Sequence, residues 1–262
     1  MSTVEEAYFN AWGKVGGAGR LRRSFSLHTE IRRMIEHQIR SKQPGLSERD
    51  VAVQVSRRMY MSDAAAQRLL DGAGGEIVWP LQDLQDSMER ISAILGDLGL
   101  NYHFTGGVAS SYYGDPRLTQ DLDLVIQLAV DQPETRALLD RLSAGYLVNE
   151  PVALDAIKRN GLFQAIDQQS MIKIDFHVGE KIPGELERGM PREVLPGLTV
   201  PLVSKEDAIV SKLLWIQQGS HKARHDVKMM LKRDEDLDKE CLRERAATLG
   251  LHELLAEIER ET

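Results

Sequence analysis

The sequence has almost no cysteine. Cys241 stands alone among 262 residues, so neither an internal disulfide nor a zinc site built from several thiolates can form. Long apolar runs are missing as well, since nothing approaches the roughly 20 residues that a membrane-spanning helix needs. The opening MSTVEEAYFNAWG carries two Glu and lacks the basic start and apolar stretch of a secretory signal. A cytoplasmic protein with no membrane partner is the expectation. Positive charge is in short supply: 33 Lys and Arg face 40 Asp and Glu, for a formal net charge of −7, which argues against wholesale coating by nucleic acid. Aromatic residues make up only 5%, yet 42% of the chain is hydrophobic and 28% charged, the proportions of a folded protein rather than a disordered one.

Pattern and charge divide the chain. The stretch from Arg20 to Arg58 is rich in arginine, while acids prevail from Asp234 onward. A basic stretch of this kind is either a phosphate-binding face or, more commonly, a solvated helix face. Phe25, Leu27, Ile31, Met34, Ile35 and Ile39 recur at helical spacing and predict a helix over 24–42, ended by Pro44-Gly45. Ser47 suits an N-cap, with Glu48 and Asp50 in the first turn of a helix carrying Val51, Val55 and Met59; a third helix runs from Ser62 to Leu70. This helical module could pass for a helix-turn-helix, but packing or substrate docking is its default role. Gly-rich patches lie at Gly13–Gly19 and Gly72–Gly75, and the second reads as a linker.

From Trp79 the texture changes. Leu81, Leu84, Met88, Ile91, Ile94, Leu95 and Leu98 predict an amphipathic helix ending at Gly99. Strands are predicted over 101–105, 121–128, 162–166 and 171–178, with helices over 108–113 and 134–142 among them. After Pro201 the chain turns helical again over 204–218, 221–233 and 238–261. These elements predict an α/β (α+β) protein with three parts: a helical module over 1–76, an α/β core over 77–201 and a helical region over 202–262.

Three features of the core carry chemistry. Gly106-Gly107 falls between a strand and a helix, where backbone N–H groups suit a phosphate; alone, a glycine pair is weak. In Asp121-Leu122-Asp123, strand alternation turns both aspartates to one face and Leu122, Leu124 and Ile126 to the other. Two carboxylates about 7 Å apart on one strand repel each other and suit Mg²⁺ or Mn²⁺ together with substrate phosphates. An isolated D-x-D is also found on solvent-facing strands. Asp175 follows the same alternation in IKIDF, with Lys173 and His177 on its side, and would supply a third carboxylate if the two strands are neighbours.

The run GGVASSYYGDPRLTQDLDLVI resembles the signature of the DNA polymerase β-like nucleotidyltransferase superfamily. It is most similar to the AbiEii/AbiGii-toxin and minimal nucleotidyltransferases. Gly106, Gly107, Arg117, Thr119, Asp121 and Asp123 occupy the places of that signature. Gly107 stands where many relatives have serine, so a hydroxyl contact to phosphate is absent. SKEDAIVSKLLWIQQGSHKARHDVKMML is similar to the later motif of the same group, with Lys212, Arg224 and Asp226 in its places. The resemblance implies a nucleotidyltransferase-fold mixed sheet and transfer of an NMP group from an NTP such as ATP, with release of pyrophosphate. It implies Asp121, Asp123 and Asp175 as catalytic metal ligands, with Mg²⁺ or Mn²⁺. Gly106, Gly107, Arg117, Thr119, Lys212, Arg224 and Asp226 would then bind the nucleotide. The alternative for Lys212 and Asp226 is a plain interhelix ion pair.

The acceptor hydroxyl belongs to an RNA 3′ end such as that of tRNA, a protein side chain or a small molecule, and a toxin-like role with a cognate partner protein fits the resemblance. The rival expectation is a non-catalytic, antitoxin-like regulator that binds nucleic acid or protein on a transferase scaffold. Other features carry less. His221 and His225 are four apart on a helix but lack a convincing third zinc ligand, and Cys241 has no partnered His. Trp79, Trp215, Tyr112 and Tyr113 read as core or interface residues, with one of the tyrosines available to stack on a base.

Overall fold

The computed structural model describes residues 3–73, 82–233 and 235–262. Gly74 and Gly75 of the expected linker, the expected boundary at 76/77, Trp79 and Leu81 lie outside them. The chain begins with helices α1 (Thr3–Lys14), α2 (Gly16–Lys42), α3 (Glu48–Met59), α4 (Ala64–Asp71) and α5 (Leu84–Asp97). Strand β1 (Tyr102–Phe104), α6 (Gly106–Tyr113), β2 (Asp121–Ile126), α7 (Pro133–Gly145), β3 (Tyr146–Val148), α8 (Glu150–Lys158), β4 (Leu162–Asp167) and β5 (Lys173–Val178) follow. Then come α9 (Glu185–Arg188), β6 (Met190–Leu195), β7 (Leu198–Leu202), α10 (Lys205–Gln217), α11 (His221–Lys232), α12 (Lys239–Thr248) and α13 (His252–Arg260). Among the described residues no helix is long and apolar enough to cross a membrane. The architecture is mixed α/β, as the sequence predicts.

The chain divides into two compact units. One, here the carboxylate unit, comprises Phe25–Tyr102 and Leu118–Gly179. Its strands run in the order β3-β4-β5-β2; β3/β4 and β4/β5 are antiparallel, and β5/β2 is parallel. The alternation in β2 is realised: Leu122, Leu124 and Ile126 are fully buried, while Asp121 and Asp123 are half-buried. Helix α5 covers β2 with Leu84, Met88, Ile91 and Leu95, each wholly buried at i, i+4, i+7, i+11 spacing. Each such side chain contributes about 1.5–3 kcal/mol by leaving water. Asp83 and Asp86 close a capping box at its start. Ser47 caps α3 as predicted, accepting from the Asp50 N–H. Helices α3 and α4 bury Val51, Val55, Met59 and Leu70 with Ile39 of α2, Ile166 of β4 and Met171. Strand β5 begins at Lys173 rather than 171, because Met171 takes a left-handed φ of 57° and its N–H closes a tight turn on the Asp167 carbonyl at 2.7 Å.

The second unit comprises Met1–Ser24, His103–Arg117 and Glu180–Thr262. Its strands run β1-β7-β6, with β1/β7 parallel and β6/β7 an antiparallel hairpin turning at Gly197, whose φ is 79°. The sequence reading missed this hairpin. Pro191 and Pro201 weaken a strand pattern, and β6 exposes its first four residues as an edge strand does. Ser204 caps α10. The tail predicted as one helix is two, α12 and α13, because Gly250 turns left-handed at φ 69°. The first glycine patch lies within helices. At Gly17 a Cβ would come within 2.7 Å of the Tyr112 ring, so the close approach of α2 to that ring requires glycine.

Candidate active site

In the carboxylate unit the two strands carrying Asp121, Asp123 and Asp175 are neighbours. The parallel register pairs Asp121 with Lys173, Asp123 with Asp175 and Val125 with His177. Alternation therefore brings Asp121, Asp123, Lys173, Asp175 and His177 to one face, while Leu122, Leu124, Ile174 and Phe176 are wholly buried on the other. The Lys173 ammonium lies 3.0 Å from Asp121 Oδ2, 2.8 Å from Asp175 Oδ2 and 3.0 Å from Asp63 Oδ2. His177 Nε2 is 3.4 Å from Asp123 Oδ1. Thr119 is buried and its hydroxyl donates to the Asp121 carbonyl at 3.3 Å. At the C-cap of α3, the Tyr60 hydroxyl accepts the Lys173 N–H at 3.0 Å and donates to the Gln120 carbonyl at 3.1 Å, pinning the entry to both strands.

Burial sets the electrostatics. It raises the Asp175 carboxyl well above the usual carboxylate range, and the Asp123 charge beside it adds to the effect. Burial also works against the Lys173 charge, but Asp121 and Asp175 outweigh it and hold that ammonium above its ordinary pKa. Asp175 Oδ1 is buried and meets no hydrogen-bond partner. An orphaned carboxylate oxygen on a face crowded with aspartates is the donor chemistry that a hard divalent cation satisfies. The residues present thus fit Mg²⁺ or Mn²⁺. Among the described residues, three or more His, Cys, Asp or Glu side chains are nowhere gathered as a ready-made metal shell. On the carboxylate face it is the ammonium that joins Asp121 to Asp175.

The other predicted residues fall in the second unit. Gly106 opens α6 with a left-handed φ of 58°, and Thr105 at the N-cap offers no side-chain cap to the first turn, in which Gly107 is buried. Asp226 of α11 is 5% exposed and takes both Arg117 Nε (2.8 Å) and the second guanidinium nitrogen (2.9 Å), with Lys212 of α10 at 3.4 Å. The interhelix pair weighed for Lys212 exists, and Arg117 completes it. A cavity of about 390 Å³ opens beside this cluster, lined by Tyr8, Phe9, Pro116, Arg117, Asp226 and Met229 among others. Arg224 is two residues from Asp226 but is engaged by Glu257 and Glu261 of α13. The Arg20–Arg58 stretch spends much of its charge internally: Arg20 donates to the Tyr112 carbonyl, Arg32 to the Ser170 carbonyl, Arg40 pairs with Glu48 and Arg57 with Asp71.

Comparison with known proteins decides the family. The profile described as nucleotidyl transferase AbiEii toxin, Type IV TA system, matches residues 90–261. The chain belongs to the AbiEii family. It is therefore a nucleotidyltransferase, an enzyme rather than the non-catalytic regulator kept as the rival expectation. No curated protein matches this AbiEii chain at a significant level. Among solved structures, it is similar to an antigenic nucleotidyltransferase-like protein from Paracoccidioides brasiliensis, at 20% identity over 67% of this chain and 91% of that one, with a TM-score of 0.41. It is also similar to the antibiotic-resistance factor ANT(2'')-Ia, at 16% identity over 67% and 96%, TM-score 0.45. The STING-associated CdnE c-di-GMP synthase from Capnocytophaga granulosa matches at 13% identity over 82% and 70%, TM-score 0.28.

Lys173 and Asp63, which meet on the carboxylate face, were given no role in the sequence. Lys173 was legible, because it sits two residues before Asp175 and must share its face. Asp63 was not. It lies 110 residues from Lys173 in the chain, and only the docking of α4 against β4 and β3 brings it there.

Proposed function

We propose that this AbiEii-family enzyme transfers an NMP group from an NTP to a hydroxyl acceptor in a reaction that depends on Mg²⁺ or Mn²⁺, and that it acts as a toxin held in check by a cognate partner protein. The observation that carries the metal dependence is the register of Asp121, Asp123 and Asp175 on one face, with one buried carboxylate oxygen unsatisfied. These three carboxylates hold the cation, which when bound draws negative charge from the phosphates of the substrate. The acceptor oxygen attacks the α-phosphorus, the bond from that phosphorus to the β-phosphate bridging oxygen breaks, and pyrophosphate leaves. The hydroxyl proton passes to Asp175 as general base. Gly106 and Gly107 offer backbone N–H groups to phosphate. Arg117 and Lys212, oriented by Asp226, form a cationic cluster suited to the phosphates of the nucleotide. Thr119 keeps the backbone at Asp121 in place. The Glu257 and Glu261 pairs of Arg224 favour a role in fixing α11 to α13 over direct nucleotide contact.

The acceptor is an RNA 3′ end, a protein hydroxyl or a small molecule. The test is a transfer screen in which each NTP, with Mg²⁺ or Mn²⁺, is offered to RNA, protein and aminoglycoside acceptors and read by mass spectrometry. A mass increase of one NMP on one acceptor class, lost in Asp121→Asn, supports the proposal; no transfer to any class sinks it.

A further inference from the structure

Lys173 is set deep in the face that the proposed reaction uses, yet that reaction gives it nothing to do. Its side chain is only 6% exposed, and its ammonium touches three carboxylates at once. Two of them, Asp121 and Asp175, belong to the proposed cation set. The third, Asp63, does not. Asp63 is the N-cap of α4: its Oδ1 accepts the N–H groups of Ala65 and Ala66 at 3.1 and 3.0 Å, which leaves Oδ2 to Lys173 and to the Gln164 amide at 2.8 Å. The backbone of α4 therefore fixes this carboxylate rigidly, with one oxygen held toward the ammonium.

A divalent cation and an ammonium compete for the same oxygens. Mg²⁺ asks for oxygen at about 2.0–2.1 Å and in strict geometry, whereas an ammonium is content at hydrogen-bond distance and in any of several directions. Both cannot keep Asp121 Oδ2 and Asp175 Oδ2 without the two positive charges repelling across a poorly solvated face. The lysine stem has four rotatable carbons, and one of its three partners lies outside the contested set. Retreat onto Asp63 therefore keeps the ammonium paired.

We propose that Lys173 is a resident cation that holds Asp121 and Asp175 together in the metal-free enzyme and yields them to an arriving divalent ion by withdrawing onto Asp63. Asp63 is a positioning residue that acts through Lys173. The proposal rests on the metal-dependent reading of the carboxylates. It predicts opposite effects at two residues that touch each other. Lys173→Met removes the competitor and tightens metal binding, while Asp63→Asn removes the receiving charge, keeps the ammonium on the metal ligands and weakens it.

The test is titration of the full-length protein, without nucleotide, with Mn²⁺ followed by calorimetry. Wild type, Lys173→Met, Asp63→Asn, the double variant and Asp121→Asn are compared. We expect about tenfold tighter binding for Lys173→Met and about tenfold weaker binding for Asp63→Asn, each about 1.4 kcal/mol. The double variant should match Lys173→Met alone, because Asp63 acts only through the lysine. If Lys173→Met folds poorly, Mn²⁺-induced thermal stabilisation reads the same affinity by mass action, and Asp63→Asn still tests the idea alone. Unchanged or weaker binding in Lys173→Met, or unchanged binding in Asp63→Asn, overturns the proposal while the metal reading stands. Failure of the wild type to bind Mn²⁺, or binding unaltered in Asp121→Asn, overturns both.

Discussion

The carboxylate face of β2 and β5 and the Arg117–Asp226–Lys212 cluster are both built from buried charge, but they are balanced in opposite senses. On the first, Asp63, Asp121 and Asp175 share the Lys173 ammonium, Asp123 lies beside them against His177, and one carboxylate oxygen stays unsatisfied. In the second, one nearly buried carboxylate is shared by a guanidinium and an ammonium, and positive charge is in excess. A face with surplus carboxylate is poised for a cation, and a cluster with surplus cation for an anion. The same substitution, Asp to Asn, therefore should have different consequences in the two places. On the crowded face it relieves repulsion; in the cation-rich cluster it strips two cations of their counter-charge.

The largest expected effect tests that contrast at the chemistry. Asp121→Asn or Asp123→Asn should slow nucleotide transfer at least about 10³-fold, the scale of losing several kcal/mol of metal-borne stabilisation, with the thermal midpoint of the metal-free protein unchanged or raised. A falling midpoint would show that these carboxylates serve the fold instead. Next, Asp226→Asn should destabilise the protein by about 3 kcal/mol in urea unfolding, because Arg117 and Lys212 lose their buried partner. If it unfolds like Asp121→Asn, the two regions do not differ as described. Lys212→Ala should be milder, raising the KM for NTP about tenfold, the weight of one charge-assisted contact. An unchanged KM would reduce Lys212 to a plain ion pair.

The smallest effects are in pH dependence. Asp175 has its pKa raised by burial, so the native state keeps a proton that the unfolded chain releases. Its contribution to metal-free stability falls as pH climbs from the ordinary carboxylate pKa toward the raised one, by at most about 1.4 kcal/mol per pH unit. His28 acts in the other direction. Burial, aided by Arg32, pushes its pKa down to about 3, and neither ring nitrogen has a partner. Stability is lost as pH falls from the ordinary histidine range toward that value. The two slopes offset each other in the wild type. Asp175→Asn should leave a protein that loses stability more steeply on acidification, and His28→Leu one that loses it less steeply; urea midpoints across that range would read both.

Alternation in DLDLVI and IKIDF was sufficient to assign the aspartates to one side of each strand, because a strand's two-residue period leaves its side chains no other choice. The helix starts at Ser47 and Ser204 were legible for a similar reason, since capping is a contact within four residues. The β6/β7 hairpin was not, because its prolines and exposed edge residues carry no apolar period. The basic look of Arg20–Arg58 also misled as to accessibility. Composition counts charges, whereas Arg20 and Arg32 are consumed by carbonyls 92 and 138 residues away.

What the sequence determined by itself was the local chemistry: which residues share a strand face, where helices begin, and a motif spacing specific enough to imply the family. The tertiary structure alone decided which charges meet. The adjacency of β2 and β5, the arrival of Asp63 at Lys173 and the bidentate grip of Arg117 on Asp226 all join residues 50 or more positions apart. Such contacts follow from how apolar faces pack, and no short-range pattern encodes which partners that packing brings together.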